Sequence, residues 1–549
     1  MNDTERRYQG NFPTPEIFVK FAYQIIEEKL GENWKEEYVI YDCCCGCLGL
    51  TKYCKFKELY CSTLIQEELE ISNQYNQEAT KWQMDFLNDS DEKIDKKLIN
   101  VFKENRPILF LLNPPYGTAG SSVGKEKKAG INSSLIREEM RKNKFGGYEN
   151  IQHQFMYCIH KIISQYNLTK AYMVIFSNPI WMTGSKQANF LINIQKNLEL
   201  LDCYLFKASY FLDVSEEWGV SLTIWKSNFK PHSTKFEIDS KLIEKCENND
   251  KIRIIGNHLL YNSYNKYKLS DWIKEPLKGK KTIQKPCLIS GLNVDKEFKL
   301  RNAVEKTIAS LATKSNSISG NAQYVYFLST MKSDSHDVCV CDDNFLRCTV
   351  LFTARRLIKN TWINHSDEYL VPNVYDVEYK RFQSDSVIYS LFNSKSCQTS
   401  MRQINYGNTK YDILNEFFWI SKNIMLDLAR QYNNIFMITD INNSNERYVY
   451  NLLNNNYNNN DIKNNLSTTS KLLLEKATEL VINSMKYREL FNQEFPDYYI
   501  NTWDAGYYQL KNLWKKYLPD DFNQFSKLYK QLESELIPLV YKLGFFKNI

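Results

Sequence analysis

Apolar runs of four to seven residues alternate with amphipathic segments along the first 229 residues of the chain. The runs have the length of strands, and the segments between them carry apolar residues at the three- and four-residue spacing of helices. Strands that alternate with helices in this way predict a doubly wound α/β domain with a parallel sheet. The predicted strands cover residues 38–41, 59–64, 80–84, 108–112, 171–176, 200–206 and 220–225, and the predicted helices cover residues 17–30, 94–103 and 150–166.

The alternation stops near residue 230. Short β-like runs, such as residues 324–328, are then mixed with turn-rich segments, and residues 442–465 form an Asn-rich stretch of low complexity. After residue 467 the apolar spacing is helical. The pattern therefore predicts three regions: an α/β domain over residues 1–229, a mixed α+β region over 230–465 and a helical region over 466–549.

Composition adds only broad limits to this picture. At 549 residues the chain is long enough for more than one domain, and its net charge of +6 is too small to identify a nucleic-acid partner by itself. Since no run of about 18 uncharged apolar residues occurs, we expect a cytoplasmic protein, of bacterial or phage origin, with no membrane partner. The fourteen cysteines lack the second well-spaced pair that structural zinc needs, so we expect reduced thiols and no metal.

The most informative segment is the predicted buried strand 108–112, which leads directly into the tetrapeptide Asn113-Pro114-Pro115-Tyr116. Ligands bind at the carboxyl ends of parallel strands, which is where this tetrapeptide would lie. Its prolines have no N–H groups, so nearby carbonyls can accept hydrogen bonds, and an amide and an aromatic ring stand beside them. Together these groups suit a planar ring that carries an exocyclic amine.

Other chemistry-bearing segments follow the predicted strands in order. Residues 10–15 (Gly-Asn-Phe-Pro-Thr-Pro) open the first helix, and Asp42 ends the first strand, just before Cys45-Gly46 in a turn where glycine lets backbone approach a ligand. Glu67 and Glu68 follow the second strand and could reach ribose hydroxyls. Asp85 and Phe86 follow the third strand, where they could bind an adenine amine and stack on its ring.

In this order the segments resemble the gamma group of N(6)-adenine DNA methyltransferases. The resemblance implies a Rossmann-like methyltransferase domain over residues 1–229 that uses S-adenosyl-L-methionine, followed by a DNA target-recognition domain. One position departs from the family loop, which usually has a second glycine where this chain has Leu48, with Gly49 following. That departure indicates an altered turn or a weaker cofactor site.

The resemblance also implies roles for individual residues around the cofactor. The implied cofactor residues are Phe12, Thr14 and Pro15 for the pocket wall, Asp42, Cys45 and Gly46 for the methionine part, Glu67 or Glu68 for the ribose, and Asp85 with Phe86 for the adenine.

The implied catalytic residues are Asn113, Pro114, Pro115 and Tyr116. The Asn113 side chain and the Pro114 carbonyl would accept the two amine hydrogens of an adenine rotated out of double-stranded DNA, and Tyr116 would stack on that base. Phe211 would form a second aromatic wall. Arg355 and Arg356, in the apolar segment 351–358, are the expected DNA contacts.

Two other functions stay open. Methyltransferases that act on RNA or on protein glutamine share the tetrapeptide, although they rarely carry a C-terminal half of some 320 residues. The chain could also be the methyltransferase part of a bifunctional restriction-modification enzyme, because residues 376–380 contain the Glu-x-Lys pattern of nucleases and Asp367 lies upstream. A separate restriction endonuclease is a further possible partner.

Overall fold

The computed structural model describes the chain except for residues 1–12, 117–133, 212–213, 215, 248–250, 265–266, 289–297, 314, 330, 333–336, 398–402, 407, 413, 455–460 and 549. The chain divides into two compact units. The first comprises Met1–Asn265, Asn360–Glu368 and Asn548, and the second comprises Lys266–Lys359, Tyr369–Lys547 and Ile549.

The first unit is built on one large sheet. Its strands are β1 (Val39–Asp42), β2 (Leu59–Thr63), β3 (Thr80–Gln83), β4 (Ile108–Leu112), β5 (Ala171–Ser177), β6 (Leu198–Lys207), β7 (Gly219–Ser227), β8 (Glu237–Lys245) and β9 (Ile252–Tyr261). Among the described residues they form a nine-stranded sheet in the order β3-β2-β1-β4-β5-β7-β6-β8-β9. The first five strands in this order, from β3 through β2, β1 and β4 to β5, are parallel to their neighbours. Strand β7 runs antiparallel to both β5 and β6.

Helices cover both faces of this sheet, because side chains alternate between its faces along each strand. They are α1 (Glu16–Leu30), α2 (Trp34–Glu37), α3 (Gln66–Ser72), α4 (Lys96–Lys103), α5 (Leu135–Lys142), α6 (Ile151–Gln165), α7 (Ile180–Thr183) and α8 (Ala188–Ile194). Val39 and Tyr41 of β1 belong to the core that contains Phe155 of α6, whereas Ile40 belongs to a second core with Phe18 of α1. The predicted doubly wound α/β fold is confirmed.

The order of the strands reverses at β1. From β1 the chain moves outward through β2 and β3, and it then returns to β4 on the other side of β1, where Val39 pairs with Ile108 and Tyr41 with Phe110. In open α/β sheets such a reversal leaves a crevice at the carboxyl ends of the two neighbouring strands, and ligands bind in it. The residues that follow β1 and β4 therefore border the same crevice.

The second unit combines small sheets with many helices. Its strands are β10 (Thr282–Leu288), β11 (Phe298–Val304), β12 (Ala309–Thr313), β13 (Val325–Leu328), β14 (Met331–Lys332), β15 (Asp337–Val340), β16 (Ser396–Cys397), β17 (Gln403–Tyr406) and β18 (Thr409–Asp412). Its helices are α9 (Leu269–Trp272), α10 (Asn321–Tyr324), α11 (Phe345–Leu357), α12 (Tyr379–Leu391), α13 (Lys422–Gln431), α14 (Ile435–Asn442), α15 (Tyr448–Asn454), α16 (Thr468–Ser484), α17 (Arg488–Glu494), α18 (Tyr507–Tyr517) and α19 (Pro519–Lys542). The mixed α+β character before residue 466 and the helical character after it are confirmed. No helix in the described part of the chain is long and apolar enough to cross a membrane.

The units do not follow the predicted region boundaries. Strands β8 and β9 extend the sheet of the first unit to Tyr261, beyond residue 229. In the second unit, Phe352 of α11 shares one hydrophobic core with Leu480 of α16 and Trp514 of α18, so the expected division at residues 465 and 466 does not separate two cores. Sequence periodicity misses such a shared core because it reports elements and not their packing.

Distant segments complete the first unit beside β9. The Nε2 atom of His258 lies 3.1 Å from Oδ1 of Asp367, and the backbone N–H of Leu259 donates to the side-chain oxygen of Asn548 at 2.8 Å. The Tyr261 hydroxyl donates to the carbonyl of Glu368 at 2.6 Å. The Asn360–Glu368 segment and Asn548 therefore belong structurally to the first unit, although Lys266–Lys359 precedes the segment in sequence and Tyr369–Lys547 precedes Asn548.

Candidate functional site

The tetrapeptide begins directly after β4, whose residues are all buried. Asn113 is half-buried, and its amide nitrogen donates a 2.9 Å hydrogen bond to the hydroxyl of Thr14, a buried residue just ahead of α1. The next residue, Pro15, accepts hydrogen bonds from the backbone N–H groups of Phe18 and Val19, so its carbonyl helps to start α1. The N-terminal segment and the tetrapeptide thus meet at the carboxyl edge of the sheet.

Asp42 ends β1 on the other side of the same crevice. Its carboxylate is buried and accepts a 3.2 Å hydrogen bond from the backbone N–H of Cys44. Burial raises the pKa of Asp42 from 3.8 to about 7, because a charged carboxylate loses its hydration there. An ammonium group bound beside Asp42 would favour the ionised form.

The loop after Asp42 is tied to β2. The backbone N–H of Cys45 donates to the carbonyl of Ser62 at 3.0 Å, and the Cys45 thiol has its pKa raised by its contact with Cys61 and by burial. Gly46 has a φ of +50°, and a Cβ atom added there would lie 3.9 Å from the carboxylate oxygens of Glu68. The absence of a side chain at Gly46 therefore leaves space between this loop and Glu68.

Of the two acids after β2, only Glu68 faces this loop. Its Oε2 atom accepts a 2.6 Å hydrogen bond from the Thr63 hydroxyl, which fixes its position at the end of β2. Glu67 is exposed. Of the two acids expected to contact a ribose, Glu68 is therefore the one beside the loop, a distinction that helical spacing alone could not make.

Leu48 occupies the position where the family loop has its second glycine. Its φ is +60°, and its side chain is fully buried. The left-handed conformation costs a non-glycine residue roughly 1–2 kcal/mol, so the loop keeps the glycine-like backbone turn at this position despite the leucine. The Leu48 carbonyl accepts hydrogen bonds from the backbone N–H groups of Thr51 and Lys52, which hold the turn.

Asp85 and Phe86 follow β3, as expected. The Asp85 carboxylate accepts hydrogen bonds from the Leu87 backbone N–H at 3.0 Å and from the Asn88 side chain at 2.8 Å. Because each carboxylate oxygen has a second lone pair, Asp85 can accept further hydrogen bonds in addition to these two. The Phe86 ring is buried and stacks on Phe155, with centroids 5.5 Å apart, so that residue occupies one of its faces.

Aromatic rings surround Tyr116. The half-buried Trp218 ring lies edge-on to it at 5.8 Å, and the Phe211 ring lies at 6.4 Å. Phe211 is only 2% exposed and stacks on Phe206, so it packs mainly as a core residue. Trp218 was missed by the sequence analysis; its position just before β7, a strand predicted over residues 220–225 and observed over Gly219–Ser227, is the signal that could have identified it.

The expectation that Arg355 contacts DNA disagrees with its position. Its side chain is fully buried and donates hydrogen bonds to the Thr313 hydroxyl at 2.7 Å, to the side-chain oxygen of Asn321 at 2.9 Å and to the carbonyls of Ser315 and Ser317. These partners belong to its own unit, so Arg355 stabilises the second unit from within. Arg356 is half-buried and donates to the Asn321 carbonyl.

The remaining expectations concern Phe12, the Glu-x-Lys segment and metal ions. Phe12 lies outside the described residues. In the Glu-x-Lys segment, Glu378 forms ion pairs with Arg381 at 3.6 Å and with Lys542 at 3.5 Å. No cluster of acidic, histidine or cysteine side chains suited to a metal ion occurs within the described part of the chain.

Comparison with known proteins gives partial structural matches. No protein-family model matches this sequence, and no curated protein matches it. Among solved structures, the chain is similar to the methyltransferase subunit of a type I restriction-modification system from Streptococcus thermophilus, with 16% sequence identity and a TM-score of 0.32 over 46% of this chain. The chain covers 56% of the length of that subunit.

Two other solved structures are also similar in part. The type IIG restriction endonuclease BpuSI has 12% sequence identity and a TM-score of 0.31, with 52% of this chain and 37% of BpuSI covered. The protein of a DrdV–DNA complex has 14% identity and a TM-score of 0.32, with 44% and 28% covered.

Proposed function

We propose that this protein transfers a methyl group from S-adenosyl-L-methionine to the exocyclic amine of adenine within a specific double-stranded DNA sequence. The observation that carries this proposal is the pairing of β1 with β4, which brings Asp42 and the tetrapeptide Asn113-Pro114-Pro115-Tyr116 to one carboxyl edge at the reversal of strand order. Cofactor chemistry and base chemistry would therefore meet in one crevice.

The tetrapeptide suits the amine of a flipped base. Adenine's amine is a weak nucleophile because its lone pair is delocalised into the ring. The Asn113 side-chain oxygen and the Pro114 carbonyl would accept its two hydrogens, which favours a tetrahedral nitrogen with a localised lone pair. Since the Asn113 nitrogen donates to Thr14, the amide has a defined rotation. Positioning and electrostatics would then supply the catalysis.

Aromatic groups would hold the base in place. Tyr116 is half-buried at the end of the tetrapeptide, and Trp218 and Phe211 lie beside it. A base reaches such a site only after leaving the duplex, at a cost of a few kcal/mol for unstacking, which stacking on aromatic rings offsets. We expect Tyr116 and the half-exposed Trp218 to contact the base, and Phe211 to support them.

The loop after β1 and the neighbouring strand ends fit S-adenosyl-L-methionine. That cofactor supplies an electrophilic methyl group on a sulfonium ion. Asp42 would bind its ammonium group, and Glu68 would accept from its ribose hydroxyls across the space that Gly46 leaves open. Asp85 would accept from its adenine amine beside Phe86. The expected cofactor contacts of Phe12, Pro15, Cys45 and Glu67 stay predictions.

The second unit would carry target recognition. Its size and mixed fold suit a DNA-reading module, and Arg356 stays a candidate phosphate contact because its side chain is half-buried and not enclosed like that of Arg355. A separate restriction endonuclease with the same recognition sequence stays a possible partner.

Identifying the methylated product tests this function directly. The full chain would be incubated with isotopically labelled S-adenosyl-L-methionine and duplex DNA, single-stranded RNA or release-factor protein, and each product hydrolysed and identified by mass spectrometry. We expect label in N6-methyladenine from DNA, its loss in Asn113→Ala and its retention in the exposed control Asn73→Ala. Label confined to RNA or protein glutamine, or to cytosine, would overturn the proposal.

A further inference from the structure

We propose that the segment Asn360–Glu368 is a brace that holds the Trp218 ring beside Tyr116. Its contacts with the loop before β7 come from His365 and from the backbone of Trp362. All of these residues belong to the first unit. The inference rests on the proposed function, because it makes His365 a positioning residue for the base that Trp218 would contact.

Trp218 lies at the end of the loop between β6 and β7, just before Gly219 pairs with Lys207. Its carbonyl accepts a 3.0 Å hydrogen bond from the backbone N–H of Ala208, which fixes the backbone but not the direction of the ring. The ring is half-buried and lies edge-on to Tyr116, with centroids 5.8 Å apart. Because ordering a side chain costs conformational entropy, the loop needs further support to present the ring in one orientation.

Gly219 shows how closely the brace approaches this loop. A Cβ atom added at Gly219 would lie 2.7 Å from the Trp362 carbonyl oxygen and 3.0 Å from a methyl group of Leu205. The Leu205 side chain can rotate away, but the carbonyl can move only together with its segment. Glycine is therefore required at this position by the approach of another backbone, and the brace packs directly against the residue that follows Trp218.

His365 contacts the residue on the other side of Trp218. Its half-buried imidazole hydrogen-bonds to the backbone of Glu217, the residue before Trp218. Its Nδ1 atom also lies 3.1 Å from the side-chain oxygen of Asn360, at the start of the same segment. The brace therefore contacts both sequence neighbours of Trp218, one through a side chain and the other through backbone packing.

The far end of the brace is fixed to β9 and the residues after it. Oδ1 of Asp367 lies 3.1 Å from Nε2 of His258, and both side chains are buried. The Tyr261 hydroxyl donates to the Glu368 carbonyl at 2.6 Å, and the Ser263 hydroxyl donates to the Glu368 carboxylate. A segment tied down in this way can support the loop without first having to become ordered when a base binds.

Loss of His365 should therefore act through Trp218. Without the imidazole the loop can shift, and the ring loses its place beside Tyr116, although the tetrapeptide and Asp42 stay intact. Residues that depend on each other in this way show coupled losses, whereas a residue that only stabilises the fold gives a loss that adds to any other.

A double-mutant cycle measures this coupling. The initial rate of N6-methyladenine formation would be measured for the full chain on unmethylated genomic DNA with saturating labelled S-adenosyl-L-methionine. We expect His365→Ala to lower the rate about fivefold when Trp218 is present and less than about twofold when Trp218 is already alanine. His365→Gln, which keeps a hydrogen-bonding side chain, should retain most of the rate.

His232→Ala is the matched control for this cycle. It removes another half-buried histidine of the first unit that contacts a backbone carbonyl, that of Lys230 at 2.9 Å. We expect this variant to methylate DNA at the wild-type rate, because His232 contacts a different loop.

Fluorine NMR tests the brace without relying on methylation. In protein labelled with fluorotryptophan, the resonance of Trp218 is identified by its loss in Trp218→Phe. The change in its frequency between light and heavy water reports the exposure of the ring. We expect this exposure to rise in His365→Ala and Gly219→Ala and to stay unchanged in His232→Ala.

The two measurements separate the possible outcomes. Additive losses in the cycle, no loss of rate in His365→Ala, or unchanged exposure of Trp218 would each overturn the brace. If the wild-type protein methylates no adenine in DNA, the proposed function itself fails, and the fluorine measurement still decides whether His365 holds Trp218. An unchanged melting temperature would show that His365→Ala does not act by unfolding, and if that variant unfolds, Gly219→Ala takes its place in the cycle.

Discussion

The Asn113 amide nitrogen donates to the Thr14 hydroxyl at 2.9 Å, across 99 positions of sequence. This single bond joins the segment ahead of α1 to the tetrapeptide after β4. It orients the group expected to bind the target amine, so we regard Thr14 as a positioning residue in addition to its expected place in the cofactor pocket.

Removing the Thr14 acceptor tests this role. Thr14→Val keeps the shape of the side chain but leaves the Asn113 amide without its partner, whereas Thr14→Ser keeps the hydroxyl. We expect Thr14→Val to lower kcat roughly fivefold, since a hydrogen bond contributes about 1 kcal/mol, and Thr14→Ser to restore most of it. Steady-state kinetics measures both variants. Equal defects in the two would indicate that shape and not the hydroxyl matters.

Asp42 makes stability depend on pH. Because its pKa is raised from 3.8 to about 7 in the folded protein, the unfolded chain loses this proton more easily. The contribution of Asp42 to the free energy of unfolding therefore falls as pH rises from about 4 to about 7, by about 4 kcal/mol at most, and stays low above that range. Asp42→Asn lacks this dependence.

Calorimetry at several pH values measures the effect. Asp42→Asn should gain thermal stability relative to wild type between pH 5 and pH 8, while its affinity for S-adenosyl-L-methionine falls. A constant difference in melting temperature across this range would contradict the shifted pKa. A gain in stability without any loss of affinity would contradict the expected cofactor contact.

At position 48 a glycine variant should be more stable than an alanine variant, which is the reverse of the usual order. Both Leu48→Ala and Leu48→Gly remove a fully buried side chain, so both should destabilise the protein by about 3 kcal/mol. Because φ is +60° at this position, glycine should be the more stable of the two by about 1 kcal/mol. Urea denaturation of the two variants measures the difference, and the opposite order would contradict the left-handed backbone.

Phe211 and Trp218 should separate stability from activity. Phe211→Ala deletes a buried ring and should cost about 3 kcal/mol of stability. Trp218→Ala deletes a half-exposed ring next to Tyr116 and should instead lower the methylation rate about tenfold, in line with stacking on a base. Thermal unfolding and methylation assays on both variants, with Trp218→Phe as the conservative control, would show whether the roles are exchanged.

Lysine variants of the neighbouring residues Arg355 and Arg356 should differ in stability. Arg355→Lys loses the guanidinium bonds to several partners at once and should destabilise the second unit by about 3 kcal/mol, whereas Arg356→Lys should cost less than about 1 kcal/mol. The charge-removing variant Arg355→Gln should leave the salt dependence of DNA binding unchanged. A shallower salt dependence at full stability would instead assign Arg355 to the DNA surface.

The sequence allowed the first unit to be predicted well, for a physical reason. Strands buried on both faces give uninterrupted apolar runs, such as residues 108–112, and the polar residues that follow them must then gather at one edge of a parallel sheet. That reasoning located Asp42, Asp85 and Asn113 at the ends of their strands. The strands β8 and β9 escaped it because most of their residues are exposed or half-buried, so they lack an uninterrupted apolar run.

Side-chain burial was less predictable. Arg355 and Arg356 are adjacent and chemically identical, yet one is enclosed and the other is half-buried, because helix α11 presents them to different surroundings. Likewise, helical spacing could not decide between Glu67 and Glu68. Such distinctions depend on which neighbouring element covers a residue, and that information lies far away in the sequence.

The segment that closes the first unit beside β9 limits how recognition modules can be exchanged. A chimera joining residues 1–265 to a foreign second unit would lack Asn360–Glu368 and Asn548, and with them the partners of His258, Leu259 and Tyr261. The first unit therefore cannot be cut from the chain at the end of its sheet, because it also needs residues 360–368 and Asn548. A chimera that keeps the first unit intact must retain residues 360–368 and Asn548, which binds Leu259, and replace only the remaining residues of the second unit.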